Sequence, residues 1–142
     1  MERGIFPLFL LYFSRKMSEY SLNKQERLCS RKAIGSLFSD GQSFFIFPLK
    51  VVYCKMSVLS PYPAQAAFSV SKKNFKRAVK RNFLKRRMRE AYRLHKSILY
   101  QALPGGEQLA VMFIYSAKEI KDYELIEKSM KKALTKLAGL IN

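Results

Sequence analysis

The side chains able to do chemistry in this 142-residue chain are overwhelmingly cations: 27 Lys and Arg stand against 10 Asp and Glu, a net charge of +17 at neutral pH. The densest run comprises Lys72, Lys73, Lys76, Arg77, Lys80, Arg81, Lys85, Arg86, Arg87, Arg89, Arg93 and Lys96, with Glu90 as its only acid. Ammonium and guanidinium groups at this density are suited to phosphate oxygens, which they grip through charge-assisted hydrogen bonds. Self-repulsion of this size opposes a compact state unless a partner offsets it, so nucleic acid is the first candidate and an anionic membrane the second. Protein-borne catalysis finds little support. His95 is the only histidine, and Glu107, Glu119, Asp122, Glu124 and Glu127 lie in turns or at the start of the last helix, where they favour the helix dipole. Gly105-Gly106 signals a turn without a phosphate-binding glycine pattern. No catalytic residue and no metal ligand set is assigned. Cys29 and Cys54 are too few for a disulfide framework and form no CxxC, so both are expected reduced and buried in a cytoplasmic protein.

The cations need a rigid support, and the pattern supplies one. Winding the segment at ~100° per residue puts Leu84, Met88, Ala91 and Ile98 on one stripe with Leu94 at its border. The opposite face carries Asn82, Arg86, Arg89 and Arg93, flanked by Lys85 and Lys96. Glu90, four residues after Arg86 and three before Arg93, is placed to tether both. A charged helix face is ordinarily just solvated, but such faces mix signs because like charges four apart repel. This one does not mix, and it is expected to run to about Leu99.

The remaining elements follow from caps, alternation and breakers. Ser18 to Arg27 is polar and expected to be extended. Ser30 caps a helix from Arg31 to about Ser39, with Ile34, Leu37 and Phe38 on one face and Gly41 closing it. Ser43 to Phe47 and, after Pro48, Leu49 to Lys55 read as strands, the latter with Leu49, Val51 and Tyr53 alternating with Lys50, Val52 and Cys54. Ser57 to Ala64 is a loop, and Gln65 to Ser71 is a strand leading into the basic helix. Leu103-Pro104-Gly105-Gly106 makes a turn, Leu109 to Tyr115 is an apolar run suited to a strand covered on both faces, and Asp122 caps a final helix through Leu140. Its buried side is expected to carry Ile126, Met130, Ala133, Leu137 and Leu140 or Ile141. The fold class is α+β, a single domain in the order α-β-β-β-α-β-α.

Residues 1 to 16 stand apart. Their apolar run from Ile5 to Phe13 is interrupted by Pro7 and is shorter than the ~20 residues that span a bilayer. Ser14-Arg15-Lys16 is no cleavage site, and Met17 follows directly. The expectation is a dispensable extension or a mis-called start at 1–16, with the domain proper at 17–142.

The stretch SVSKKNFKRAVKRNFLKRRMRE resembles the signature of the bacterial ribonuclease P protein component: a strand ending in Lys72-Lys73, followed by Ala78, Arg81-Asn82, Lys85-Arg86 and Arg89-Glu90 at fixed spacing. The likeness extends over roughly Asn23 to Leu137. It implies a four-stranded sheet packed with helices, a ribosomal-protein-like RNA-binding fold. A left-handed strand-helix-strand crossover through the basic helix is also implied, although such connections are right-handed in about 98% of cases. The implied role is that of a subunit that does not itself cut RNA. It binds the catalytic RNA and the single-stranded 5′ leader of precursor tRNA, with Mg²⁺ brought by the RNA and no cofactor bound by the protein alone. Neither DNA nor membrane is an expected partner. Arg81, Asn82, Lys85, Arg86 and Arg89 match the family's basic motif; Lys72, Lys73, Lys76, Arg77, Lys80 and Arg93 complete the expected RNA-binding set. Ile34, Phe38 and Tyr53 match a leader-binding cleft between the first helix, the sheet and the basic helix, with core packing the other role open to Phe38 and Tyr53. Phe83 departs from the pattern, standing where a third basic residue follows Arg-Asn; it could pack on the first helix or stack on a nucleotide.

Two rivals are distinguishable. A generic structured-RNA-binding protein would gain nothing from a 5′ extension on tRNA, and a lipid-binding protein would depend on residues 1 to 16.

Overall fold

The computed structural model describes residues 22–56, 62–103 and 108–141. The apolar segment 1–16, most of the loop around Pro61 and the Pro104-Gly105-Gly106 turn lie outside the described residues.

After a 3₁₀ turn at Lys24–Glu26, helix α1 spans Arg31–Asp40. Ser30 begins it as expected, its Oγ accepting the Ala33 N–H at 3.3 Å. The helix stops at Gly41, whose N–H donates to Leu37 O; a Cβ at that position would lie 2.2 Å from the same oxygen, so only glycine allows the approach. Strands β1 (Gln42–Ile46) and β2 (Leu49–Met56) form a hairpin that turns at Phe47-Pro48, a cis peptide. Strand β3 is Ala64–Val70, and the basic helix α2 is Ala78–His95. Expected to continue to Leu99, that helix instead breaks at Lys96, and a separate helix α3 covers Ser97–Ala102. Strand β4 (Gln108–Tyr115) and helix α4 (Tyr123–Ile141) complete the chain, with Asp122 Oδ1 accepting the Leu125 N–H at 3.1 Å.

The sheet order is β1-β2-β4-β3, with β3 parallel to β4 and the other pairs antiparallel. β4 is therefore interior, and Leu109, Ala110, Val111, Met112, Phe113 and Tyr115 are buried, which is why this strand lacks alternation. On one face Leu49, Val51, Val111, Phe113 and Tyr115 meet Leu84, Met88, Ala91 and Tyr92 of α2, Leu99 of α3, and Ile126, Met130, Ala133, Leu134 and Leu137 of α4. Phe68, Tyr92 and Phe113 form an aromatic trio with centroids 5.5–5.7 Å apart. On the other face Val52, Ala110 and Met112 meet Ala33 and Leu37 of α1, a smaller core. The two faces are thus unequally roofed.

Several expectations are corrected. Phe38 is 65% exposed and leaves the buried face of α1 to Ala33 and Leu37. Tyr92, whose polar tip masked it in the periodicity, is fully buried on α2. Ile98 is only partly buried, because the break at Lys96 takes it off the α2 stripe. Cys29 is exposed rather than buried, and Cys54 is intermediate.

Candidate nucleic-acid interface

The loop after β3 and the outer face of α2 carry the cations. Lys72, Lys73, Lys76, Arg77, Lys80, Asn82, Arg86 and Arg89 are exposed, while Arg81, Lys85 and Arg93 are half-buried. Loop and helix are locked together from within: Phe75 is buried against Tyr115, and Arg81 Nη1 donates to Phe75 O and Lys76 O, each at 2.8 Å. Arg81, expected as an RNA contact, thus has a second task, holding Lys72, Lys73, Lys76 and Arg77 beside α2.

Among the described residues Lys72, Lys73, Lys76, Arg77, Lys80, Lys85, Arg86 and Arg89 form no ion pair. Glu90 grips Arg93, with Oε2 accepting Nε–H at 3.1 Å and Oε1 accepting Nη2–H at 2.5 Å. The expected second tether to Arg86 is not formed. The bonds to Arg93 hold the Glu90 carboxyl below its ordinary range, and the same carboxylate raises Arg93. No side chain caps the N-terminus of α2, and four cations, Lys76, Arg77, Lys80 and Arg81, crowd it. Positive charge at the positive end of a helix dipole is locally unfavourable, and a bound polyanion offsets it.

Lys96 does not belong to this face. It is 3% exposed, with Nζ donating to Glu26 Oε2 at 2.5 Å. Tyr100 Oη donates to the same oxygen at 2.6 Å, while Asn23 N and Nδ2 donate to Glu26 Oε1 at 3.3 and 3.2 Å. This network anchors the segment that precedes α1.

The face opposite α2 carries a second surface. Pairing across the four strands sets Phe45, Lys50, Ile114 and Ser69 on one rung of the α1 side, next to the loop that begins at Ser71. Phe45 and Lys50 are exposed. One flank of α1, with Lys32, Ala33 and Ser36, lines a cavity of about 120 Å³ with Cys54, Met56 and Ala110 at the far end of the sheet. Ile34 and Phe38 occupy the opposite flank of the helix, Ile34 half-buried against the smaller core and Phe38 exposed. Tyr53 is not there. It pairs with Gln42 and Val111 on the α4 side of the sheet, with its ring 6.0 Å from Phe44 and its hydroxyl donating to Gln42 Oε1 at 2.9 Å. The structure therefore brings Ile34 and Phe38 together and separates Tyr53 from both. The alternation already held the signal, since Tyr53 is in phase with Leu49 and Val51; Phe45 and Lys50 could have been found by extending it across the hairpin.

Phe83 does not pack on α1. It is 42% exposed, with the Arg87 guanidinium 4.3 Å from its ring centroid. His95 lies 3.4 Å from Glu127 and faces α4. Among the described residues no three His, Cys, Asp or Glu side chains come together as a metal site, and no helix is long and apolar enough to cross a membrane.

The chain is similar to known proteins in sequence and in fold. The ribonuclease P family model matches residues 22–138. A ribonuclease P protein component from Porphyromonas gingivalis is 40% identical over 121 residues, covering 84% of this chain and 88% of that protein. One from Chlorobium phaeobacteroides is 38% identical over 125 residues, covering 80% and 86%. Among solved structures, the RNase P protein from Staphylococcus aureus has a TM-score of 0.60 at 25% identity and covers 82% of this chain and 98% of its own. That from Thermotoga maritima has a TM-score of 0.63 at 23% identity, covers 78% and 96%, and is similar in fold.

Proposed function

The chain belongs to the ribonuclease P protein family, and we propose that its α2 face docks on the family's catalytic RNA while the α1 side of its sheet receives the single-stranded 5′ leader of precursor tRNA. Family membership makes it an RNA-binding component of a ribonucleoprotein that processes tRNA. In the proposed division of labour, the RNA and its Mg²⁺ carry out endonucleolytic removal of the leader in the cytoplasm, and this chain positions the two RNAs.

The observation that carries this is the run of cations without acidic partners from Lys72 to Arg89, rigid because α2 is buried along Leu84, Met88, Ala91 and Tyr92. Phosphates of a folded RNA are met by point charges and planar forks that do not read base identity, which suits recognition by shape and backbone. Exposed Phe38 beside Ile34 supports leader binding, because stacking on an aromatic face tolerates any base.

Reconstitution with the catalytic RNA from the same cell is the direct test. Cleavage of precursor tRNA at low Mg²⁺ is expected to require this chain, and the complex is expected to bind precursor more tightly than mature tRNA. Equal affinity for the two would leave a generic structured-RNA-binding module.

A further inference from the structure

Phe83 interrupts the cations of α2 with a benzyl group that is 42% exposed. One turn earlier Val79 is 79% exposed, and one turn later the Arg87 guanidinium lies 4.3 Å from the Phe83 centroid. These three, spaced four apart, form a stripe of their own. It is outside the core, which takes the Leu84 side of the helix. It is also off the flank of α2 that leans on the sheet: Phe83 and Arg89 stand about 120° apart around the helix, and Arg89 is the side chain that leans over Phe68 of β3.

A phosphate gains nothing from a benzyl ring, whereas a nucleobase presents a π face that stacks on it. Lys80 and Arg86, each three residues from Phe83, are placed to hold the phosphates on either side of such a base. Arg87 already orders the ring by covering one face. We propose that Phe83, backed by Arg87, is a stacking platform for one unpaired nucleobase of the catalytic RNA that docks on α2, in place of a further phosphate contact. The inference rests on the proposed docking of α2 and adds to it a contact independent of charge.

The test uses the full chain and the catalytic RNA from the same cell, with affinity measured across a salt series. Phe83→Ala is expected to weaken binding about 5- to 150-fold, the equivalent of one base stacked on an aromatic side chain, with the salt slope unchanged. Phe83→Tyr is expected to bind as the parent does. Chemical probing should show one unpaired nucleotide protected by the parent and reactive with Phe83→Ala. If Phe83→Lys binds as tightly as the parent with a steeper slope, the position meets phosphate and the inference is overturned. Unchanged affinity for Phe83→Ala, with Arg86→Ala flattening the slope, overturns the platform alone. If neither substitution has an effect, docking through α2 falls as well.

Discussion

Lys96 and Glu26, 70 positions apart, form an ion pair at 2.5 Å with side-chain exposures of 4% and 0%. Tyr100 and Asn23 complete the shell around the carboxylate, so both oxygens are satisfied away from water. The pair ties the segment leading into α1 to the junction of α2 and α3. Through it, the helix at the proposed leader site is fixed relative to the helix at the proposed RNA-docking site.

Lys96→Met is therefore expected to destabilise the fold by about 3–5 kcal/mol in urea denaturation, because it leaves a buried carboxylate without its countercharge. Adding Glu26→Gln is expected to restore most of that loss. A double variant no more stable than Lys96→Met would mean that the cost comes from lost packing.

Arg86→Ala should flatten the salt dependence of binding to the catalytic RNA by about one unit, as expected for one phosphate contact removed. Affinity should fall most at low salt. An unchanged slope would take Arg86 off the interface.

Phe38→Ala and Tyr53→Ala are expected to part company. Phe38 is 65% exposed, so its loss should change folding stability by no more than about 0.5 kcal/mol, while reducing the preference for precursor over mature tRNA by about 1–3 kcal/mol. Tyr53 packs on Phe44 on the opposite face, so its truncation should lower stability and affect both RNAs alike. Competition binding with the two tRNAs, alongside thermal unfolding, separates the outcomes.

High pH should unfold the protein through buried tyrosines. Burial is the main cause that lifts Tyr92 and Tyr100 well above the ordinary tyrosine range; Tyr92 and Glu26 lift Tyr100 further, and burial pushes Tyr123 up to about 12. A hydroxyl whose pKa is higher folded than unfolded contributes stability that is complete below about pH 10 and is lost as pH rises beyond it. Absorbance at the phenolate band should show Tyr92 and Tyr100 ionising together with loss of structure. Their titration at ordinary pH in a folded protein would contradict the burial.

The sequence was a good guide wherever one periodicity governed. Alternation in β2, the caps at Ser30 and Asp122 and the continuous run in β4 place their elements to within a residue or two, while apolar spacing finds the buried face of α2 but overruns its end by four residues. It was a poor guide wherever a polar atom found a partner far away in the chain. Lys96 looked like one more surface cation because its partner, Glu26, lies before α1; Arg81 looked free because Phe75 and Lys76 offer it carbonyl oxygens only once the loop folds. Tyr53 lies on the α4 side because it is in phase with Leu49 and Val51 along β2, a signal that a motif match does not carry.

The unequal roofing of the sheet has a geometric consequence. Three helices cover one side and a single ten-residue helix covers part of the other, so the four strands work as a rigid septum. Packed layers, whether sheet on sheet or helix on helix, lie on the order of 10 Å apart. Under the proposed function, such a septum would act as a calliper, its thickness setting how far a tRNA tail is held from the ribozyme strand gripped on the other side.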